Sequence, residues 1–430
     1  MLTSESTFHW TKRSLFCVAL LLSPIIALSQ TVDNGPSKLR VSGFGTLGIT
    51  HVDGPQEWGY RRNISQPAND GGLRADIDSR VGVQLNYSFS PQFELVTQVI
   101  AKRRSSYAAT NDIIEWAFAA YRPKPDISIR LGRLSVDSFL LADYRNVGFA
   151  YRFARPPVEV YGTLPLSFDG IDVSKDFSFE NSRWRLKLFG GSSTTGDLSV
   201  NGRSKIGPIV GVTSSRESGG LTLRAGYVHV VLAENSPFLD PLLESLDGMT
   251  MFPIPTIASQ ADYLKERLDN EGKSTAYFAL GLNYERNDWL FTMEVTKNSG
   301  FSPARFTAGY VGIGKRINAF TVFGNVGRIE SPNSAISAPD WASTLAPILG
   351  PSVALQSQTL ASTAAVVINK SAVSQRNFSV GARWDFRANM AIKVQWEHID
   401  VNEYGGRLWS NSTLEGGSAN VTSLSIDFVF

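Results

Sequence analysis

The feature that most constrains the fold of this chain is a long alternation of polar and apolar residues. From Arg74 to Phe89, the even positions carry mainly charged or polar side chains and the odd positions mainly apolar ones, with Ser79 as the exception. Successive side chains of a β-strand point to opposite faces, so the pattern predicts a strand with one apolar and one strongly polar face. Its length of about fifteen residues is well above the usual five or six of globular sheets.

The alternation recurs along most of the chain and predicts an all-β protein. Between 112 and 122, Ile114, Trp116 and Phe118 alternate with Glu115, which places the three apolar side chains together on one face. With boundaries set by the same pattern, sixteen strands are predicted near residues 39–50, 74–89, 92–104, 112–122, 126–134, 165–176, 183–193, 205–214, 219–232, 274–286, 288–298, 303–315, 318–329, 376–387, 390–401 and 420–430.

The connections between the predicted strands alternate in length. Short turns such as Ser90-Pro91-Gln92 alternate with long polar segments, although two connections on the long side, near 105–111 and 299–302, are short. The long segments are 51–73, 135–164, 233–273, 330–375 and 402–419. Outer-membrane barrels have short periplasmic turns and long extracellular loops, and a sheet crosses hydrocarbon only when it is closed. The pattern therefore predicts a transmembrane, antiparallel, up-and-down β-barrel, with a secreted β-sandwich or propeller as the alternative.

The first residues have the order of a secretory signal. Lys12 and Arg13 precede an apolar run from Leu15 to Leu28, and Ser29 ends a small-residue pair. This order predicts a signal peptide over residues 1–29, cleaved near Ser29, and a barrel over 30–430. A membrane anchor is the alternative, but the run is short of the roughly twenty residues of a spanning helix.

Charge and cysteine content argue against a protein that depends on disulfides and against one that binds nucleic acid. The only cysteine, Cys17, lies in the predicted signal, so the mature chain does not depend on disulfides. The formal net charge of the whole chain is +2, which gives no reason to propose nucleic acid as a partner.

Both ends of the mature chain resemble those of Gram-negative outer-membrane porins. Residues 39–50, LRVSGFGTLGIT, resemble the first porin strand, and residues 423–430, SLSIDFVF, resemble the closing strand with its terminal Phe430. The resemblance implies a barrel of sixteen strands, usually a homotrimer, that passes ions and small hydrophilic solutes by diffusion. It also implies contact with membrane lipid and lipopolysaccharide, and recognition of the Phe430 strand by barrel assembly machinery. The acidic Pro-Glu-Phe-Gly-Gly motif of the third loop of general porins is absent from 135–164.

The polar face of the strands supplies candidate pore residues. A barrel of this size leaves an aqueous channel, and charges at membrane depth are costly unless they face water or one another. Segment 135–164 is predicted to fold into the lumen and constrict it, with Asp137, Asp143 and Glu159 as its acidic candidates. The candidates on the wall are Arg74, Arg80, Lys102, Arg130, Arg183, Arg185 and Arg383.

A basic wall opposite an acidic loop predicts a charge-selective constriction, and the excess of wall arginines favours a mild anion preference. Two alternatives stay open. Arg145, Arg152 and Arg155 would make the loop itself basic, and each wall arginine would serve as well in a salt bridge between strands.

Other functions find less support in the sequence. The mature chain has three histidines, His51, His229 and His398, and no serine or acid can be tied to them, so no catalytic residue is assigned. No cofactor or metal motif is present. A substrate-specific channel for sugars or organic acids, and an enzymatic or structural barrel, remain the alternatives. Segment 233–273 is predicted to contain a short helix over Asp262–Leu268, and 330–375 to be mobile, exposed or both.

Overall fold

The chain forms a closed ring of antiparallel strands. The computed structural model describes residues 31–33, 38–55, 58–67, 72–104, 110–163, 167–197, 202–300, 305–332, 335–409 and 414–430. The predicted signal peptide, residues 1–29, lies outside the described residues. The sixteen long strands are β1 Lys38–Asp53, β2 Arg80–Ser88, β3 Phe93–Lys102, β4 Ile114–Lys124, β5 Ile127–Ser135, β6 Ser167–Phe179, β7 Ser182–Asp197, β8 Gly202–Ser218, β9 Leu221–Leu232, β10 Ser274–Arg286, β11 Trp289–Gly300, β12 Phe306–Ile317, β13 Phe320–Glu330, β14 Val373–Arg387, β15 Met390–Gly406 and β16 Gly417–Val429.

Each long strand pairs with the strands before and after it, and β16 pairs with β1. Two three-residue segments, Thr31–Asp33 and Gly72–Arg74, add to the edges of β1. The prediction of an antiparallel, sixteen-stranded, up-and-down barrel is therefore confirmed. On one side the strands are joined by turns of two to four residues, and this side is called the turn side. The other connections lie on the loop side.

The prediction of the second strand is wrong before Arg80. The sequence predicts a strand from Arg74, whereas β2 begins at Arg80 and residues 75–79 form a turn. The alternation persists through this turn because Asp78 points into the barrel, where its carboxylate lies 3.2 Å from Arg155. A turn residue that forms an ion pair inside the lumen thus continues the polar alternation of the strand that follows it.

The prediction for β4 is wrong about which residues face outward. Between β3 and β4 the register shifts, so that Gln98 pairs with Trp116 while Val99 pairs with Ile114. The extra residue, Glu115, is a β-bulge, and a bulge moves the following side chains to the other face. Trp116 therefore shares the inward face of Gln98, and so does Phe118. The sequence places both on the apolar, outward face.

Five helices lie in the loops: α1 Val158–Tyr161, α2 Asp240–Thr250, α3 Pro255–Leu268, α4 Trp341–Leu349 and α5 Pro351–Lys370. Helices α2 to α5 pack together around Leu246, Leu264 and Trp341. The helix predicted over Asp262–Leu268 is the second half of α3. The segment 330–375, for which the sequence predicts no helix, contains α4 and α5. No helix in the described part of the chain is long and apolar enough to cross a membrane.

The outer surface of the barrel is an apolar belt. On β14, Phe378, Val380 and Trp384 are exposed, and they alternate with inward residues such as Ser379, which is buried. Aromatic side chains line the turn side of this belt, where Phe320 and Trp384 stack with ring centroids 5.7 Å apart. A continuous exposed apolar surface with an aromatic girdle is the surface that hydrocarbon and its interface require.

The ring closes where the C-terminal residue meets the first strand. Two backbone hydrogen bonds of 2.9 Å join Gly43 to Phe430, one in each direction. The Phe430 ring lies over Gly43, and a Cβ added there would fall 2.2 Å from the ring. Gly43 therefore provides the space that the terminal aromatic ring occupies.

We expect Gly43→Ala to displace the Phe430 ring and to destabilise the barrel by about 1–3 kcal/mol, the usual cost of overpacking. The measurement is the temperature at which the folded band disappears when unheated samples are run on a denaturing gel. Gly248→Ala is the control, since a Cβ at Gly248 in α2 meets no atom within 4 Å. Equal melting temperatures for Gly43→Ala and the unsubstituted protein would contradict the role of Gly43.

Candidate pore and the loop inside it

The connection between β5 and β6 runs through the inside of the barrel. Its described part, residues 136–163, is called the lumenal loop, and most of its side chains are buried. Leu134 and Ser135, at the end of β5, are already buried, so the chain enters the lumen directly from the strand. The loop then crosses to the far wall, where the backbone N–H of Leu140 donates to Glu294 of β11 at 2.7 Å.

Side chains of the far wall provide partners for the backbone of the lumenal loop. The ammonium of Lys393 on β15 donates to the carbonyls of Gly148 and Phe153 at 2.6 and 2.8 Å. Arg383 on β14 donates to the carbonyl of Phe149 at 2.6 Å. The N–H of Ala154 donates to Gln395 at 2.8 Å. A buried loop needs such partners, because unpaired backbone groups away from water are costly.

Buried ion pairs hold both ends of the lumenal loop. Near its C-terminal end, the fully buried Arg155 lies 3.2 Å from the Asp78 carboxylate and 2.8 Å from that of Glu397. Near its N-terminal end, Asp137 accepts hydrogen bonds from Lys187 of β7 and Arg224 of β9. The loop is thus tied to opposite walls of the barrel.

Apolar side chains fill much of the lumen on the loop side. Phe153 packs against Phe323 of β13 with ring centroids 5.8 Å apart, and Phe139 packs against Tyr277 of β10 at 5.7 Å. These residues belong to one buried apolar cluster that includes inward positions of most strands. The sequence predicts a polar inner face throughout. Part of that face is instead apolar and covered by the lumenal loop.

A cavity of about 470 Å³ lies against the inner wall on the turn side of the lumenal loop. Its lining is polar and contains charges of both signs. The charged residues are Arg40, Glu94, Arg122, Asp126, Arg130, Asp143, Asp176, Arg183, Arg185 and Lys187. A space of this size, open to charged groups, is a suitable vestibule for water and hydrated ions.

A smaller cavity, about 40 Å³, lies on the loop side of the same wall. Its charged lining is mainly basic: Arg62, Asp78, Arg80, Lys102, Arg103 and Arg145. Along β2 the larger cavity touches Gln84 and Asn86, whereas the smaller one touches Arg80, nearer the loop side.

Residues 143–147 of the lumenal loop lie between the two cavities. Arg80 donates from Nε to the carbonyl of Asn146 at 2.6 Å, and Lys102 donates to the Asn146 side chain at 3.3 Å. Arg145 pairs with Glu115 of β4 at 2.7 Å. These contacts hold this segment against the wall formed by β2 to β4.

The predicted site residues fall into three groups. Those that line the larger cavity are Arg130, Asp143, Arg183 and Arg185. Arg80 and Lys102 line the smaller one. The others line neither: Asp137, Glu159 and Arg383 hold the lumenal loop, and Arg74 pairs with Asp76 at 2.9 Å in the loop before β2.

Several of the cavity arginines also join neighbouring strands. Arg130 donates to Asp172 of β6 at 3.0 Å, while Arg185 lies 2.6 Å from Asp176. The same arginine side chains therefore line the cavity and form salt bridges between strands. Asp143 differs from the other two acidic candidates on the loop, because its side chain is exposed towards the larger cavity.

Many cavity residues are not among the predicted site residues, and Arg40, Arg62, Arg122 and Asn146 illustrate why. Arg40 and Arg122 lie on strands. The alternation of polar and apolar residues along those strands is a sequence signal that could identify them as inward-facing. Arg62 and Asn146 lie in loops, where no periodicity indicates which way a side chain points.

Glu159, in α1, is a carboxyl group with little access to water. It is fully buried, and the amide of Gln375 donates a hydrogen bond to its carboxyl group at 2.8 Å. Burial raises the pKa of the Glu159 carboxyl to about 7, and the nearby Glu397 carboxylate adds to this effect. The charge on this residue therefore changes near neutral pH.

Two solved structures show the fold of this barrel. OmpF of Salmonella typhi, solved in complex with daunomycin, matches with a TM-score of 0.54 at 12% sequence identity, over 93% of this chain and 100% of that chain. An anion-selective porin from Comamonas acidovorans matches with a TM-score of 0.51 at 10% identity, over 92% and 100%. The chain has the fold of the Gram-negative outer-membrane porins. No family model matches its sequence, and no curated protein matches it.

We expect Arg155→Ala to destabilise the porin fold by about 3–5 kcal/mol, because it removes the cation paired with the buried Glu397 and leaves Asp78 with the more distant Arg62 at 3.6 Å. Arg152→Ala is the control: Arg152 is also a buried arginine of the lumenal loop, but its Nε has no hydrogen-bond partner among the described residues. The free energy of unfolding in urea, followed by tryptophan fluorescence, separates the two. A loss in Arg155→Ala no larger than in Arg152→Ala would contradict the anchoring role of Arg155.

Glu159→Gln is expected to change how stability depends on pH. Because the pKa in the folded protein, about 7, lies above the ordinary 4.5, the folded state binds the proton more tightly than the unfolded chain does. Its contribution is therefore fully present below about pH 4.5 and is lost as the pH rises through 7, a difference on the order of 3 kcal/mol.

The measurement for this residue is the free energy of unfolding at pH 5 and pH 8. Glu159→Gln should lose this part of the pH dependence, while the exposed Glu271→Gln should keep it. An unchanged pH dependence in Glu159→Gln would show that the carboxyl is already ionised at pH 5.

Proposed function

We propose that this protein is a channel of the bacterial outer membrane through which ions and small hydrophilic solutes diffuse. The observation that supports it is the pair of charged cavities on one inner wall, on either side of residues 143–147. The solute route would follow the wall of β2 to β5 and narrow where Asn146 meets Arg80. The sign of the charge on a constriction decides which ions pass it.

The proposed route is narrow. A water molecule takes up about 30 Å³ of the liquid, so the smaller cavity, at about 40 Å³, holds one or two waters. The apolar side chains of the lumenal loop pack against inward residues of several strands and take up further space in the lumen. We therefore expect a small conductance in comparison with a barrel whose lumen is open.

The charge of the smaller cavity favours anions. Its lining holds five cationic side chains and one carboxylate, Asp78. Asp76 and Glu115, just outside it, pair with Arg103, Lys102 and Arg145, which leaves a smaller positive excess. The Comamonas acidovorans porin is described as anion-selective, but it shares only the fold, so the anion preference proposed here rests on the residues of this chain.

A channel specific for small organic acids is the second candidate. The observation that favours it is Arg80, which donates to the carbonyls of Asn146 and Asp78 and to the hydroxyl of Tyr151, at 2.6 to 2.7 Å. All three acceptors are uncharged, and a guanidinium binds a carboxylate more strongly than it binds such groups. An organic acid would then displace the loop from this wall as it passes.

We propose no catalytic activity and no cofactor. His51, His229 and His398 lie on the outward parity of their strands, away from the lumen. Among the described residues, no group of three or more possible ligands would hold a metal ion. A homotrimer, contact with lipopolysaccharide, and recognition of the Phe430 strand by barrel assembly machinery remain proposals that follow from the porin resemblance.

The test of the proposed function is the current through the purified protein in a planar bilayer with a salt gradient. We expect a reversal potential on the anion side, and Lys102→Gln should lower the anion-to-cation permeability ratio about twofold. Lys205→Gln, a cation on β8 outside both cavities, should leave the ratio unchanged. A folded protein that carries no current would overturn the channel proposal, and a cation preference would overturn the selectivity.

Succinate added to the same bilayer separates the two candidates. Saturable block of the current, lost in Arg80→Gln, supports the substrate-specific channel. A current that falls only in proportion to the replaced anion supports passive diffusion.

A further inference from the structure

The β-bulge at Glu115 places two aromatic side chains on the inner wall of the barrel. Trp116 and Phe118 both line the larger cavity, and both are partly exposed. The apolar cluster under the lumenal loop shields its own members from water, whereas these two rings keep free surface on the turn side of the loop. An exposed aromatic surface inside a cavity is a place where another ring can bind.

A planar cation and an unused hydrogen-bond donor belong to the same surface. The guanidinium of Arg130 lies 5.0 Å from the centroid of the Phe118 ring, and Asp172 on β6 accepts a hydrogen bond from its Nε at 3.0 Å. The indole N–H of Trp116 is shielded from water and has no hydrogen-bond partner among the described residues. Two rings, a guanidinium and a spare N–H donor suit a flat aromatic molecule that carries oxygen acceptors.

A second arginine, Arg40, lies at the same height on this wall. The register places side by side, on β1 to β4, the residues Arg40, Asn86, Val96 and Phe118. Three strand spacings of about 4.8 Å put the Cα atoms of Arg40 and Phe118 about 14 Å apart. Because the wall of a closed barrel curves, the tips of inward side chains are closer than their Cα atoms. One small molecule can therefore contact both residues.

Arg40 differs from the other cations of the larger cavity in having no partner. The other five cationic side chains that line this cavity each pair with a carboxylate. Arg40 is exposed, and its guanidinium forms no hydrogen bond or ion pair within the part of the chain that the structure describes. Glu94, which lines the same cavity, is held by Arg122 at 2.9 Å and by the amide of Asn86 at 2.9 Å. Arg40 is thus available to an anionic group from solution.

We propose that the larger cavity is a binding site for aromatic carboxylates, with the ring against Trp116 and Phe118 and the carboxylate paired with Arg40. A guanidinium matches a carboxylate through two parallel N–H donors. The cavity volume, about 470 Å³, falls within the range of small-molecule sites, roughly 300–1,000 Å³. This inference rests on the proposed function for the delivery of the ligand, and it names a class of solute that the channel holds on the turn side of the lumenal loop.

The test measures binding of 4-fluorobenzoate to the purified full-length barrel in detergent. The fluorine NMR line broadens in proportion to the bound fraction, and detergent without protein gives the background. Arg40→Gln should weaken binding about fivefold, the contribution of a solvent-exposed ion pair. Arg376→Gln is the matched control, because Arg376 is exposed on the outer face of β14 with the parity of Phe378. Equal binding by Arg40→Gln and the unsubstituted protein would overturn the carboxylate contact.

Trp116→Leu tests the aromatic surface. It should weaken binding of 4-fluorobenzoate by about fivefold, because stacking between rings is lost together with apolar contact. Trp289→Leu removes an exposed tryptophan from the outer face of β11 and should leave binding unchanged. A dissociation constant in Trp116→Leu equal to that of Trp289→Leu would overturn the contact with the ring.

Competition by two analogues keeps the proposal testable even if a variant does not fold. Against the unsubstituted protein, cyclohexanecarboxylate keeps the charge but lacks the aromatic ring, and it should displace 4-fluorobenzoate about threefold less effectively than benzoate does. Benzylamine keeps the ring but carries the opposite charge, and it should displace little. Displacement by cyclohexanecarboxylate as strong as that by benzoate would overturn the aromatic class, and equally strong displacement by benzylamine would overturn the anionic one.

The site and the channel fail separately. A barrel that conducts ions in the planar bilayer but does not bind 4-fluorobenzoate would retain the proposed function and overturn the aromatic site. A folded barrel that binds 4-fluorobenzoate with the expected loss in Arg40→Gln, but carries no current, would support the site and overturn the channel.

Discussion

The hydrogen bonds between β16 and β1 are the constraint on which the rest of this structure depends. They close the sheet, and a closed sheet is the only form in which every strand has a partner on both sides. Closure also creates two surfaces that need different side chains, one towards lipid and one towards the lumen. The apolar belt, the aromatic girdle and the space for a lumenal loop are all consequences of the ring.

Inside the ring, the lumenal loop determines what the barrel can do. A segment of this kind can lie in the lumen only if its backbone groups and charges find partners there. Lys393, Arg383 and Gln395 supply those partners on one wall, and Asp78 with Glu397 neutralises Arg155. The two charged cavities described above border the anchored loop, so the anchoring of the loop and the proposed route of a solute depend on the same contacts.

Much of the fold could be predicted from the period of the sequence, because a side chain on a membrane strand faces either oil or the lumen. β10 was found with both ends correct and most other strands to within about three residues. At Glu115 the period no longer predicts the faces, because a single extra residue in β4 reverses the faces of Trp116 and Phe118. Asp78 is a second exception, since its charge continues the alternation of a strand although the residue belongs to a turn and pairs with Arg155.

By itself, the sequence determined that the chain closes into a sixteen-stranded barrel, because alternation along a strand depends only on neighbouring residues. Only the tertiary structure decided which charges meet. Arg80 and Asn146 are far apart in the chain and adjacent in the lumen, and Arg328 faces Arg376 across a strand pair. The physical reason is that register, bulges and the path of the lumenal loop depend on contacts between distant segments, which no local pattern records.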